Sequence, residues 1–190
     1  MISIPQPVFV GSVRYPETYN RTIGPSLRSA LATIGELERL TVFDRDLVIP
    51  PAVEAEVTTE PARTALSRFR ETHDIDRQLP ADELSLEEAG RVLGDDTETG
   101  DVQLVAAVLA GTSGSVAVVS DDRRVRTTAR SLGAPVTGTI GVIVRAVDDG
   151  LSADEGKQLI RRLDRHGLHL TGELRDTAFE LIDAAGAESS

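Results

Sequence analysis

The sequence predicts an α/β fold: a three-layer α/β/α sandwich with a small, mainly parallel central sheet. Three observations predict it. Short β-branched segments alternate with longer segments whose apolar residues recur at helical spacing. Clusters of Gly, Pro, Asn and Asp separate them. The 190 residues are 40% hydrophobic, enough for a real core and suited to one compact domain, placed at residues 1–183 with a flexible tail at 184–190.

In chain order, "PVFVGSV" (7–13) is short, apolar and β-branched, and reads as a buried strand. The stretch 14–25 reads as a loop punctuated by Pro16, Asn20, Gly24 and Pro25. Leu27, Ala30, Leu31, Ile34, Leu37 and Leu40 fall at helical spacing. Leu47–Ile49 is a second short strand, stopped by Pro50 and Pro51, which are tolerated in the first turn of the helix that follows. Helices are expected over 60–72 and 84–93, with a loop between them and a turn cluster at 94–100. Asp101 suits the N-terminus of the apolar helix "VQLVAAVLA". "VAVV" (116–119) is a buried strand, and the next helix turns Val125, Ala129 and Leu132 inward and stops at Gly133. "PVTGT" gives a short strand and turn, and an apolar helix runs on to Gly150. Ser152 and Glu155 form a capping box for a helix over 153–165. Thr171 starts the last helix. Strands that alternate with helices imply a parallel sheet covered by helices, with ligands bound outside the carboxyl ends of the strands.

Composition narrows the chemistry. The absence of Cys excludes disulfides, Cys-bound zinc, iron–sulfur clusters and Cys nucleophiles. Among the three His, only His166 and His169 lie close together, with no partner acid at a ligand's spacing. No run reaches the roughly 18 apolar residues of a membrane helix, and no basic-then-apolar leader opens the chain, so the expectation is a cytoplasmic protein with no membrane partner. The net charge is −11, and Lys157 is the only lysine. Acid excess with Arg in place of Lys resembles the proteins of salt-loving archaea, where a Debye length of about 3 Å in molar salt screens such a surface. The charge therefore does not argue against a nucleic-acid partner.

The strand-end rule selects a few acids. Glu56 follows the Leu47–Ile49 strand, with Glu54 two residues earlier. Asp101 opens a helix leading into "VAVV", and Asp121 and Asp122 come just after that strand. Clustered carboxylates repel one another unless a cation neutralises them. Mg²⁺ and Mn²⁺ favour such oxygen ligands, a setting suited to phosphodiester hydrolysis. Beside Asp122, the run Arg123, Arg124, Arg126 and Arg130 reads either as a phosphate clamp or as a solvated helix face. Arg161, Arg162, Arg165 and His166 suit a helix C-terminus. "DDTETG" starts like an EF-hand loop, but its closing Glu falls on Ala106, so the motif fails. Arg14, Tyr15, Tyr19, Asn20 and Arg21 decorate the early loop and serve either as RNA contacts or as surface filling.

In order and spacing, "VIPPAVEAEV" (48–57), "TGDVQLVAAVLA" (99–110), "VVSDDRRVRTTARSLG" (118–133) and "GTIGVIVRAVDDGL" (138–151) resemble the PIN-domain ribonucleases, which include the VapC-type toxins of toxin–antitoxin pairs. The resemblance runs from about residue 25 to residue 182. It implies a small parallel sheet between helices and an endonuclease acting on RNA. It implies Glu56, Asp101 and Asp121 or Asp122 as catalytic metal ligands, and two Mg²⁺ or Mn²⁺ ions about 3.5–4 Å apart. It implies RNA contacts by Ser12, Arg123 and Arg126, an antitoxin protein as a partner, and a homodimer.

One departure stands out. The family ends its first strand with an Asp, followed two residues later by Ser, Thr or Asn. Taking 7–13 as that strand puts Val10 in place of the Asp and Ser12 in place of the hydroxyl, with no acid before Glu17. Three readings follow: a catalytically degenerate scaffold that binds RNA or a protein partner, an enzyme with a rearranged site, or a different alignment of the N-terminus.

Overall fold

The computed structural model describes residues 20–24, 31–32, 35–43, 47–73, 75, 81–95, 98–111 and 116–188. Among these, four strands form one sheet: β1 (Asn20–Ile23), β2 (Leu47–Val48), β3 (Val116–Val119) and β4 (Val136–Thr137). Their order is β2-β1-β3-β4, and every pairing is parallel. Thr22 lies opposite Val48, Ile23 opposite Val119, and Val119 opposite Thr137. All four strands therefore end along one edge, where the chain leaves the sheet at Gly24, Ile49, Ser120 and Gly138.

The central strand corrects the reading of 14–25 as a loop. Asn20 to Ile23 pair with β3, and Arg21 and Thr22 pair with β2 as well, so Asn20 opens the strand and Gly24 follows it. Two ladders of partners outweigh the weak strand propensity of Asn and Arg, a tertiary effect that local punctuation does not reveal. The strand expected at 7–13, with Val10 and Ser12, lies outside the described residues, as does Glu17. The single helix expected over 27–40 is also corrected. Leu31 and Ala32 are helical, Gly35 has φ +74°, and a 3₁₀ helix follows at Leu37–Phe43.

The helices are α1 (Pro51–Ala55), α2 (Ala62–Thr72), α3 (Glu83–Leu93), α4 (Gly100–Ala110), α5 (Arg123–Ser131), α6 (Thr139–Asp148), α7 (Ala153–Leu163) and α8 (Gly172–Glu188). Side-chain oxygens satisfy the first turns where the sequence supplies them: Asp82 for α3, Thr99 for α4, Asp122 for α5, and the Ser152–Glu155 capping box for α7. The cap of α4 is thus Thr99, and Asp101 sits in the helix's first turn. A π turn, Asp164–Leu168, follows α7, so the regular helix stops before residue 165. Helix α8 continues to Glu188 and buries Ala185, past the boundary set at 183 from sequence.

Alternation in β3 divides the core. Val118 packs with Leu104, Val105, Val125 and Ala129 of α4 and α5. Its neighbour Val119 packs with Ile23, Ile49 and Val53, in a cluster shared with α6, α7 and α8. Successive strand residues point to opposite faces, so the two clusters cover the two faces of the sheet. Ile143 of α6, Ile160 of α7 and Ile182 of α8 are fully buried. Each contributes roughly 1.5–3 kcal/mol through burial, and truncating one to Ala would cost about 2–5 kcal/mol. Leu132, expected to face inward, is 39% exposed, because α5 has already ended at Ser131.

Candidate active site

The edge where the strands end is built from three helix starts and one helix end. Glu56 follows the last residue of α1 and is exposed, and its Oε1 accepts from Gly100 N–H at 2.8 Å. That bond fixes the carboxylate against the first turn of α4, which carries Asp101. Asp122 caps α5: its Oδ1 accepts from Val125 N–H at 2.9 Å, and its own N–H donates to Ser120 Oγ at 3.1 Å. The buried side chain of Gln103 braces the site from α4, its Oε1 accepting from Ala52 N–H at 2.9 Å.

Asp101 records how these acids are placed. Burial pushes its pKa up from 3.8 to about 6, the charges of Asp122 and Glu56 push the same way, and Arg124 opposes them. Asp95 adds a smaller push, so four acids, Glu56, Asp95, Asp101 and Asp122, share one electrostatic environment. They do not form a closed ligand cage: among the described residues, no three acid or His side chains are grouped to hold a metal ion.

The structure separates the Asp121–Asp122 pair. Asp121 turns to α6, where its Oδ1 accepts from Thr139 N–H at 2.9 Å and its Oδ2 from the Thr139 hydroxyl. Asp122, not Asp121, is the neighbour that raises the Asp101 pKa. Beside Asp121, burial lowers the pKa of Arg126 from its ordinary value, with Arg130 adding and Asp121 opposing. Gly138 makes this packing possible, since a Cβ there would lie 2.5 Å from Asp121 Oδ1 and 2.7 Å from an Arg126 nitrogen. Arg123 is exposed at the start of α5.

Two residues at the site were not selected from sequence. Gly24 stands at the carboxyl end of β1, its N–H donating to Val119 O at 2.7 Å. The position that ends the central strand is thus Gly24 and not Val10. Ser26, two residues on, keeps the expected hydroxyl spacing, though it lies outside the described residues. A Cβ on Gly24 would lie 2.9 Å from Ser120 Oγ, 3.1 Å from Ser120 Cβ and 3.2 Å from Leu104. The second residue is Arg124, read from sequence only as part of a basic run. Its guanidinium makes a two-pronged bond to Asp95 at 3.0 and 2.9 Å, donates to Leu93 O at 3.1 Å and approaches Asp101 at 3.8 Å. The bond to Asp95 chiefly raises its pKa, and the charges of Asp101 and Asp122 add to this.

The other candidates have structural partners. Glu54 pairs with Arg70 and Arg162 with Glu36, while Arg161 lies over the Phe179 ring at 4.8 Å. Asn20 and Arg21 belong to β1 rather than to a loop.

A small parallel sheet among helices, with acids beyond its strand ends, defines an α/β protein whose candidate site lies at the carboxyl edge of the sheet. A family model described as a PIN domain matches residues 26–184, and the chain belongs to that family. The family gives it a nuclease-type function in general terms, and PIN domains generally use divalent metals. No curated protein and no solved structure matches the chain. Among the described residues, no helix is long and apolar enough to cross a membrane.

Proposed function

We propose that the chain is an endoribonuclease with a weakened site, hydrolysing RNA phosphodiesters, in which Glu56, Asp101 and Asp122 hold one Mg²⁺ or Mn²⁺. The observation that carries this reading is the placement of the acids: Gly100 N–H ties Glu56 to the first turn of α4, which carries Asp101, and Asp122 caps α5 near enough to push the Asp101 pKa up. Such an arrangement costs stability and is relieved by a cation. The donors are the carboxylate oxygens a hard ion takes, and Glu56 and Asp122 each keep an oxygen beyond the one given to Gly100 or Val125, but the three acids are not grouped as a ligand set and an ion would have to draw them together.

When bound, the ion supplies Lewis acidity to the hydrolysis. The chain's own residues supply placement. Gly100 N–H orients Glu56, and Val125 N–H orients Asp122. Asp121 acts as a positioning residue, tying the turn after β3 to the start of α6 through Thr139. Arg123 and Arg126 are assigned to the RNA phosphates, and the hydroxyl contact read for Ser12 passes to Ser26, two residues past the end of β1. The finer reading extends to a single three-layer PIN-like domain, a toxin-like protein with an antitoxin partner, a homodimer, and a salt-rich cytoplasm.

Gly24 favours a second reading, a scaffold that binds RNA or a protein without cutting. Cleavage of a labelled RNA with Mn²⁺ decides between them. Cleavage by the wild type that is lost in Glu56→Gln and Asp122→Asn supports the nuclease. Unchanged cleavage in both variants overturns the ligand assignment. RNA binding without cleavage at any Mn²⁺ concentration supports the scaffold.

A further inference from the structure

Helix α5, Arg123–Ser131, holds four arginines and no acid, in a chain with 31 acids against 20 bases. The structure divides the four. Arg124 is committed to Asp95 and the Leu93 carbonyl. Among the described residues, no acid comes within ion-pairing distance of the guanidinium groups of Arg123, Arg126 and Arg130, and none accepts a hydrogen bond from them. Acids are present nearby, but each is turned elsewhere. Asp122 caps α5 through Val125 N–H, Asp121 gives both oxygens to Thr139, and Asp95 holds Arg124, with Asp101 beside it at 3.8 Å.

Residues i, i+3 and i+7 of a helix share one face. The three arginines therefore stand in a row, away from the side on which Val125 and Ala129 pack into the core. The row is about 10 Å long at 1.5 Å per residue. Arg123 and Arg130 are exposed, and Arg126 is half-buried. Two features separate this row from an ordinary solvated face. Arg123 opens the helix, where the helix dipole disfavours a cation. Arg126 lies against Gly138, just ahead of the first turn of α6 and so beside a second positive helix end; a Cβ on Gly138 would lie 2.7 Å from an Arg126 nitrogen. Burial and the charge of Arg130 both work against the charged form of Arg126, and Asp121 offsets only part of this. The fold holds this charge at a cost that an anion laid along the row relieves.

We propose that Arg123, Arg126 and Arg130 form a track for the phosphate backbone of a single RNA strand, about three nucleotides long at about 3.4 Å per stacked nucleotide. The track starts at the turn that carries Asp122, so a strand bound on it enters the candidate site, and Arg130 marks its far end. One helix face offers one line of cations, which suits one backbone. Guanidinium forks match phosphate oxygens in geometry as well as charge. The inference rests on the RNA half of the proposed function and asks nothing of a metal ion. Of the basic run read from sequence it keeps three members and releases Arg124.

Fluorescence anisotropy of a labelled oligouridylate in EDTA tests this. Wild type is compared with Arg123→Gln, Arg126→Gln, Arg130→Gln and Arg175→Gln, the last removing an equal charge from α8. Each is measured over a salt series that starts at the lowest salt at which the chain is folded by circular dichroism. Each track variant should flatten the slope of log affinity against log salt by about 0.7 and weaken binding by about tenfold at the lowest salt. R175Q should do neither, and Arg126→Lys, which keeps the charge, should keep the slope. Should R126Q fail to fold, the exposed R123Q and R130Q carry the test. Slopes unchanged in the folded track variants, or lowered as much by R175Q, overturn the inference and leave the RNA reading standing. Polyglutamate that displaces the label as well as unlabelled oligouridylate does overturns the assignment to RNA and gives the track to an acidic protein. If the wild type binds no RNA at any salt, the RNA reading falls and the inference falls with it.

Discussion

Replacing Asp101 with Asn should stabilise the protein when no divalent cation is present. The Asp101 pKa rises from 3.8 to about 6 on folding, so the folded chain holds this proton more tightly than the unfolded chain. Stability is then lost as pH climbs from about 4 to about 6, and the full penalty applies above that. A shift of about two units corresponds to roughly 3 kcal/mol as an upper bound. The Asp101 side chain is 21% exposed, so solvent screens part of this. Asn also gives up the favourable position of a charge in the first turn of α4, about 0.3–1 kcal/mol, and the 3.8 Å approach of Arg124. The net gain for D101N is therefore about 1–2 kcal/mol at pH 8. For a chain of this length that is a rise of roughly 3–6 °C in melting temperature. Thermal melts followed by circular dichroism in EDTA check it, at pH 8 and again at pH 4, where the gain should vanish. A D101N variant that melts at or below the wild type at pH 8 would refute the claim that the three acids repel one another. With Mn²⁺ added, the order should narrow or reverse, because only the wild type gains a full ligand.

Other substitutions separate the roles at the site. Glu56→Gln keeps an oxygen for Gly100 N–H, so it should leave the melting temperature within about 2 °C while abolishing Mn²⁺-dependent cleavage, as read by melts and RNA gels. Gly24→Ala forces a Cβ against both heavy atoms of the buried Ser120 side chain and should cost about 1–3 kcal/mol in urea unfolding. Asp121→Ala removes both acceptors that Thr139 uses at the start of α6 and should cost about 1–2 kcal/mol, read by the same unfolding. Ser152→Ala breaks the capping box of α7 and should lower stability by about 1 kcal/mol without changing Mn²⁺ affinity, since α7 lies in the core cluster remote from the acids.

The acids of the site were legible because their placement follows from short local rules. A β-branched pair stopped by two prolines puts Glu56 just past β2, and an apolar run after Thr99 puts Asp101 in a first turn. The choice within Asp121–Asp122 was not legible, since Thr139, 18 residues on, decides it. Arg124 looked like any member of an Arg-rich helix face, and its role depends on Asp95, 29 residues earlier. The central strand was missed for a related reason. Asn-Arg-Thr-Ile becomes a strand because it fits between two others, while the more strand-like 7–13 drew the family's first-strand pattern to itself. The Thr22–Ile23 pair, with Gly24 and then Ser26, was the signal that would have corrected this.

That misplacement changes the chemistry. An acid missing at Val10 would leave Glu17 as the candidate to replace it. At Gly24 the loss is built into the packing, because Ser120 occupies the space a side chain would need, and Ser120 Oγ also holds the N–H of Asp122. Gly24→Asp by itself should therefore disturb the Asp122 turn before it adds a ligand.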